Sequence, residues 1–359
     1  MRRRMLAVVQ GRPIDRVPFV QYSGLAGPDE EIWSVVGREN MGLLRWCWCG
    51  FARIESPHCR FEQVDLERDG RKGFRQTLHT PEGSLWQERL IEPTYGTSAA
   101  REHFVKEPKD YKVLLAYFRD LRFAPDPQGA SAVAARELAQ DGLPLTAVDR
   151  TPFQQLWIQW VCLEDLCLHL VDAPGVMEEV FDAMVRNQRK TYEILCAMIR
   201  QGMDIPFVDI PDNLTAPVIG ERYFRQYCLP RYRELVDMLA ETGKDVPVYV
   251  HMDGYLKPLW QGIGESGIRG IDSLSPPPDN DTRPADVVRM WPQMRMAVNF
   301  PSSVHLAGPQ AVYDCARDIL QQAGHTGRLW IQISENVPPG MWRKSFPQII
   351  KAINDFGRP

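Results

Sequence analysis

Three side chains in this sequence could together hold a divalent metal ion. His251 and Asp253 end an apolar stretch, "PVYVHMDG", and Glu335 ends another, "LWIQISE". An imidazole and two carboxylates suit zinc or a similar ion, and catalytic sites commonly use three protein ligands. Because residues i and i+2 of a strand share a face, His251 and Asp253 can point the same way. The spacing alone leaves open a simple His251–Asp253 hydrogen bond with Glu335 in solvent, since H-x-D pairs often arise by chance.

The elements that must position these residues are short apolar runs that alternate with helical patterns. Most runs are bounded by turn residues, as expected for buried strands. The predicted strands cover residues 16–24, 51–57, 143–151, 205–213, 246–254, 267–276, 294–303 and 328–339. About eight strands with helical connections predict an α/β fold, a single (β/α)₈ TIM barrel.

The barrel is predicted to carry an elaborated N-terminal hairpin and helix cap. Residues 1–359 are interpreted as one domain, and residues 25–140 contain the cap-like insertion, with hairpin turns at "RDGRKG" and "TPEGS". A doubly wound open sheet is the alternative. No G-x-G-x-x-G follows the first strand, so a dinucleotide-binding version of that sheet has no support.

Catalytic groups of such barrels lie at the carboxyl ends of the strands. Asp209 is a candidate proton donor or a partner of His251, and Tyr22, Trp157, Asp212 and Asn299 are candidate substrate-binding residues. Four of them also have a structural interpretation: the two aspartates can cap the next helix or loop, Asn299 can serve a turn, and Trp157 can belong to the core.

Composition excludes several functional classes. The 359 residues carry a net charge of −4, and no dense basic segment follows the first few residues, which argues against nucleic-acid binding. No apolar run is long enough for a membrane helix, so a cytoplasmic location is expected. The eight cysteines lack framework spacing and are predicted to be free thiols. A non-haem iron oxygenase triad is rejected, because those enzymes are all-β whereas this sequence is rich in helical patterns.

Several segments occur in an order that matches one known family. They are "RRRMLAVVQGRPIDRVPF", "TPEGSLWQE", "HFVKEPKDYKVL", "TPFQQLWIQWVCLEDLCLHLVDAPGVMEEVFDAM", "HMDG" and "ISENVPPG". Together they resemble the uroporphyrinogen decarboxylase superfamily, particularly its corrinoid-dependent, methylcobalamin:coenzyme M methyltransferase-like branch. The resemblance runs almost from end to end.

The resemblance implies a metal site with altered ligands. In that branch the histidine and cysteine of "HxCG" and a cysteine of the last strand bind zinc. His251 matches the histidine, whereas Asp253 and Glu335 stand where the two cysteines would be. Carboxylates are harder ligands than thiolates and leave a more Lewis-acidic ion, which suits an oxygen-bearing substrate. Zn²⁺ is expected, and iron or manganese becomes harder to exclude.

The implied reaction is therefore cleavage of a methyl–oxygen bond in a small molecule such as an aromatic methyl ether. The methyl group would pass to a corrinoid on a separate protein, since no D-x-H-x-x-G motif occurs here. Relatives are often dimers, so a homodimer is also implied. Tetrapyrrole decarboxylation is disfavoured, because the opening segment lacks the arginine arrangement "RQAGRY" of the true decarboxylases.

Two other functions remain open. The first is a metal-dependent lyase, decarboxylase or hydrolase that acts on a small carboxylic acid. The second is a non-catalytic small-molecule-binding paralogue that kept the barrel after losing its thiolates. Product analysis without a corrinoid would separate the first from methyl transfer, and metal content would separate the second.

Overall fold

Fourteen strands and thirteen α-helices make up the computed structural model, which describes residues 1–359. The strands are β1 (Phe19–Tyr22), β2 (Met41–Trp48), β3 (Ala52–Glu55), β4 (Arg60–Arg68), β5 (Arg71–Thr80), β6 (Gly83–Ile91), β7 (Ser98–Glu102), β8 (Arg122–Pro125), β9 (Gly142–Ala147), β10 (Val208–Ile210), β11 (Val248–His251), β12 (Gly270–Leu274), β13 (Arg295–Asn299) and β14 (Leu329–Ile333).

Helices connect most of the later strands. They are α1 (Arg2–Gln10), α2 (Asp29–Val36), α3 (Tyr111–Asp120), α4 (Ala130–Leu138), α5 (Pro152–Gln155), α6 (Leu163–Asp172), α7 (Pro174–Arg200), α8 (Ala216–Tyr223), α9 (Leu229–Ala240), α10 (Trp260–Gly264), α11 (Pro284–Met290), α12 (Pro309–Ala323) and α13 (Trp342–Phe356). Not one of these helices combines the length and apolar character needed to cross a lipid bilayer.

Eight strands form a closed parallel barrel. Their order around the ring is β1, β14, β13, β12, β11, β10, β9 and β2, so barrel strands that follow one another in sequence are neighbours, and β14 closes the ring against β1. Seven of the barrel strands are buried along their whole length, as expected when helices cover the outside of a parallel sheet, and β2 is buried over its first four residues. The predicted (β/α)₈ barrel is confirmed.

The chain forms two compact units. The first comprises Met1–Phe51, Asp126–Val148 and Leu195–Pro359 and contains all eight barrel strands. The second comprises Ala52–Pro125 and Asp149–Ile194. It contains the antiparallel sheet β4–β5–β6–β7 and the antiparallel pair β3–β8. Its two predicted hairpins are confirmed, while the assignment of residues 1–359 to one domain stays a prediction.

The predicted second barrel strand is wrong. Residues 52–55 of "FARIESP" form β3, which pairs antiparallel with β8 in the second unit, whereas β2 is the second strand of the barrel. The physical reason is burial. Three of the four side chains of β3 are exposed, and a parallel barrel strand needs apolar residues on both faces, as the run "MGLL" at the start of β2 provides.

The barrel interior is filled with large side chains and is closed at its amino end by α1. Tyr249 stacks on Trp330 with ring centroids 6.1 Å apart, and Phe207 lies 4.9 Å from Tyr249. Met5 and Val8 of α1 belong to the same buried cluster. The carboxyl end of the barrel is therefore the end at which a functional site is expected.

His305 gives the barrel unit a pH-dependent stability. It is buried against the rings of Phe300 and Phe346, and burial lowers its pKa to about 4 although the charge of Asp279 opposes this. Folded protein keeps the imidazole neutral, whereas unfolded chain binds a proton below its usual pKa near 6.5. Stability should therefore fall by about 3 kcal/mol as pH drops from about 6.5 to about 4.

The measurement is urea unfolding of the wild type and His305→Phe between pH 4 and 8. The variant should lack most of this acid-dependent loss. His325→Phe, which changes an exposed histidine, is the control and should follow the wild type. Parallel pH profiles for wild type and His305→Phe would contradict the prediction.

Candidate metal centre

The three predicted ligands meet at the carboxyl end of the barrel. His251 is the last residue of β11, Asp253 follows two residues later, and Glu335 lies two residues after β14. The Nε2 atom of His251 is 3.8 Å from Asp253 Oδ2 and 3.8 Å from Glu335 Oε1. One ligand atom from each residue lies within 4.8 Å of the other two.

This donor set fits a divalent ion. Zinc ligands at about 2.0–2.2 Å in a tetrahedral site lie about 3.4 Å from one another. The two 3.8 Å separations therefore require only a small inward movement of the carboxylates. Side-chain exposure is 7% for His251, 24% for Asp253 and 39% for Glu335. The two carboxylates are therefore accessible from solvent, while the imidazole is buried.

Asp272 orients the imidazole of His251. Its Oδ2 is 3.0 Å from His251 Nδ1, and the hydroxyl of Tyr22 donates a hydrogen bond to the same carboxylate oxygen. A proton on Nδ1 leaves the Nε2 lone pair directed at Asp253 and Glu335, which is the arrangement that metal-binding histidines use. The triad is therefore pre-oriented for a cation.

Two further residues fix Asp272. Gln332 Nε2 donates to Asp272 Oδ1 over 2.8 Å, and Gln332 Oε1 accepts from Trp330 Nε1 over 2.8 Å. The indole thus determines which way the amide points. The sequence pattern assigned no role to Asp272 or to Gln332. Strand register identifies Asp272 as a partner of His251, because the two are paired residues of β11 and β12.

The three side chains of the triad shift one another's pKa values. Burial disfavours charged His251, but hydrogen bonds and charges from Asp253 and Asp272 outweigh it and raise the pKa of His251 above its ordinary value. Burial also raises the pKa of Glu335, with the negative charge of Asp253 adding to it and His251 opposing it. Two neighbouring carboxylates favour either a proton or a metal ion between them.

Both carboxylates have hydrogen-bond donors that hold them in place. Asn213 Nδ2 donates to Asp253 Oδ2 over 3.2 Å, and Ser273 Oγ donates to Glu335 Oε1 over 3.3 Å. Ser273 lies at a β12 irregularity and has φ +60°, a left-handed conformation that non-glycine residues rarely adopt. The bulge turns this serine toward Glu335, as bulges near functional sites often do.

Three other predicted residues lie in the barrel unit and are buried. Asn299 accepts hydrogen bonds from the backbone N–H and hydroxyl of Ser334, so it holds the segment that carries Glu335. Asp212 accepts a 2.6 Å hydrogen bond from the hydroxyl of Tyr232. Asp209 lies within β10, and its charge helps raise the pKa of Tyr22 well above the ordinary value, after burial and Asp272.

The predicted residue Trp157 lies in the second unit. It belongs to a π-helical segment, Leu156–Trp160, and its indole N–H donates to the side-chain oxygen of Gln154. Its role in substrate binding stays a prediction.

Two tryptophans near His251 were missed. Trp46 and Trp48 lie on β2, the strand that the sequence pattern did not reveal. The Trp46 ring lies 5.4 Å from the Tyr22 ring and 6.4 Å from both the Trp48 and the His251 rings. The two tryptophans of "RWCW" are the sequence feature that could have indicated this strand. They form an aromatic wall beside the triad.

Asp272→Asn should weaken metal binding about 10- to 100-fold, the usual effect of removing the carboxylate that orients a ligating histidine. The amide cannot supply the negative charge that favours a proton on His251 Nδ1. Competition titration of the metal-free protein with a zinc chelator measures the change. Asp245→Asn, which removes an exposed partner of Arg269, is the control. Equal affinities for Asp272→Asn and wild type would contradict an orienting role.

Fold and donor set together define a (β/α)₈ barrel with a candidate divalent-metal centre at its carboxyl end. The sequence profile of the family described as uroporphyrinogen decarboxylase (URO-D) matches residues 163–356, just over half of the chain. The chain belongs to this family, as its sequence motifs suggested.

Two solved structures resemble this chain. A methyltransferase from Methanosarcina mazei is 13% identical, with 98% of each chain covered and a TM-score of 0.55, and it shares the fold. A B12-independent methionine synthase from Shewanella sp. W3-18-1, solved with selenomethionine, is 10% identical, with 95% of this chain and 97% of that chain covered and a TM-score of 0.43. No curated protein sequence gives a significant match.

Proposed function

We propose that this protein is a metal-dependent methyltransferase that cleaves a methyl–oxygen bond of a small substrate, with a corrinoid on a separate protein as the methyl acceptor. One observation carries the proposal: His251 Nε2 faces two carboxylate oxygens, each 3.8 Å away, at the accessible end of the barrel. The family and the structural likeness to a Methanosarcina mazei methyltransferase support it.

His251, Asp253 and Glu335 would hold the ion, with Zn²⁺ expected and iron or manganese as alternatives. When bound, such an ion supplies Lewis acidity toward a substrate oxygen and makes that oxygen a better leaving group. The two carboxylates favour an oxygen-bearing substrate over a thiol, because hard ligands leave a harder ion.

Other residues would orient His251 and supply a proton to the departing oxygen. Asp272, held by Gln332 and Tyr22, keeps the Nε2 lone pair of His251 directed at the carboxylates. We propose Asp209 as the donor of a proton to the departing oxygen. It lies inside the barrel close enough to Tyr22 for its charge to influence that phenol.

We also propose three residues of the barrel unit as part of the substrate pocket. Tyr22 would contribute aromatic surface, and Asp212 and Asn299 would contribute polar groups. Asn299 acts at least through the backbone that carries Glu335, because it accepts two hydrogen bonds from Ser334.

The test is a methyl-transfer assay with metal-loaded protein, a reduced corrinoid protein and a panel of methyl ethers that includes aromatic ones. We expect methylation of the corrinoid and release of the corresponding alcohol or phenol, with no release when the corrinoid protein is omitted. Product formation without the corrinoid protein would overturn the proposal in favour of a lyase or hydrolase. Metal-free purified protein that also fails to bind added metal would favour a non-catalytic paralogue.

A further inference from the structure

A buried arginine without a carboxylate partner lies at the amino end of the barrel. Arg295 begins β13 and is 8% exposed. Its guanidinium makes one hydrogen bond, from Nη1 to the backbone oxygen of Gln293 over 3.2 Å, and its buried Nε has no partner. Arginine has five N–H donors and stays charged in proteins. A positively charged side chain is therefore largely buried, and its Nε donor has no partner.

A second guanidinium adds to this charge. Arg328 directly precedes β14, the neighbour of β13, and its Nη1 donates to the backbone oxygens of Trp291 and Met294 over 3.2 and 3.1 Å. Burial, with the charge of Arg295 adding to it, lowers the pKa of Arg328. The two guanidinium groups therefore repel each other. The hydrogen-bond acceptors of both are uncharged backbone carbonyl groups.

The end of α1 compensates only part of this charge. Gly11, which caps α1 with φ +66°, lies against the guanidinium, so that a Cβ there would stand 2.6 Å from Arg295 Nη2. The carboxyl end of a helix carries about half a negative charge. That partial charge offsets a fraction of the charge of Arg295 on its Nη2 side and leaves Nε without a partner.

A second unpartnered donor lies in the same row of the barrel. Tyr249, Gly270 and Arg295 are paired in register on β11, β12 and β13, so their side-chain positions share the inner face. Gly270 contributes no side chain, and the Tyr249 ring crosses that position, since a Cβ there would lie 2.3 Å from the ring. The buried Tyr249 hydroxyl has no hydrogen-bond partner.

We propose that a small inorganic anion of about the size of chloride binds at this amino end, with Arg295 Nε and the Tyr249 hydroxyl as its donors. Both groups offer protons, and an anion satisfies them while neutralising a buried charge that a water molecule would leave uncompensated. The site is at the opposite end of the barrel from the metal centre, so it is independent of the proposed function.

Thermal unfolding in sodium chloride and in sodium gluconate at equal ionic strength tests the proposal, because gluconate is too large to enter. The wild type should unfold about 3 °C higher in chloride, the shift expected when a ligand is present well above its Kd. Tyr249→Phe should reduce this difference and Arg295→Met should remove it. Arg269→Met, which changes a guanidinium already paired with Asp245, should retain it. Equal unfolding temperatures of the wild type in both salts would overturn the site.

A second measurement does not depend on any variant folding. Crystals of the wild type soaked in bromide should show an anomalous peak in contact with Arg295 and Tyr249. A clean map without that peak, with a water molecule in its place, would show that solvent alone satisfies these donors and would overturn the proposal.

Discussion

Purified His251→Ala protein is expected to contain less than about a tenth of the divalent metal found in the wild type, and to show no methyl transfer above background. Three-ligand sites depend on every ligand, and His251 is the one that the surrounding structure fixes most firmly. It is buried, hydrogen-bonded at Nδ1 to Asp272, and directed through Nε2 at the two carboxylates. Elemental analysis after dialysis against metal-free buffer measures the loss.

Two comparisons make this result specific. His79→Ala removes a histidine that is hydrogen-bonded on the antiparallel sheet of the other unit, and it should leave the metal content unchanged. Glu335→Gln keeps the side-chain volume, so a reduced metal content in that variant would report the ligand and not the fold. Circular dichroism confirms that each variant is folded. Wild-type metal content in folded His251→Ala protein would contradict both the metal centre and the proposed chemistry.

The second large effect is on stability. Trp330→Ala should lower the free energy of unfolding by about 4 kcal/mol, because truncating a large buried aromatic side chain removes its packing and leaves a cavity. Trp330 is 1% exposed in the barrel interior and stacks on Tyr249. Urea unfolding followed by circular dichroism measures the change, with linear extrapolation to water.

Trp330→Ala should also weaken metal binding, because the indole N–H orients the amide that holds Asp272. Trp330→Phe separates the two effects, since it retains much of the ring volume and loses the N–H donor. Tyr255→Ala, at a half-exposed aromatic side chain, should change stability by less than about 1 kcal/mol. A Trp330→Ala variant within about 1 kcal/mol of the wild type would mean that the interior is not packed as described.

The barrel and its metal-ligand candidates could be predicted because both depend on local patterns. Strands buried on both faces appear as short apolar runs, and His251 and Glu335 stand at the ends of two such runs. The family resemblance then joined positions about eighty residues apart. β2 was missed because Arg45 interrupts its apolar run, and with it Trp46 and Trp48 were missed.

The supporting residues could not be predicted because they depend on register and on exact backbone geometry. That Asp272 stands opposite His251 follows from how β11 and β12 align, which periodicity does not specify. The left-handed φ of Ser273 has no sequence signal, because such conformations favour glycine or asparagine. The charge of Arg295 is ordinary in a sequence and becomes unusual only once it is buried.

The closing pair of the barrel has a consequence for synthesis in the cell. β1, near the start of the chain, hydrogen-bonds to β14, which the ribosome releases hundreds of residues later. Until then Met5 and Val8 of α1 lack the finished cavity that shelters them. Until β14 has been made, the nascent polypeptide therefore exposes the apolar face of α1, which favours aggregation over that period.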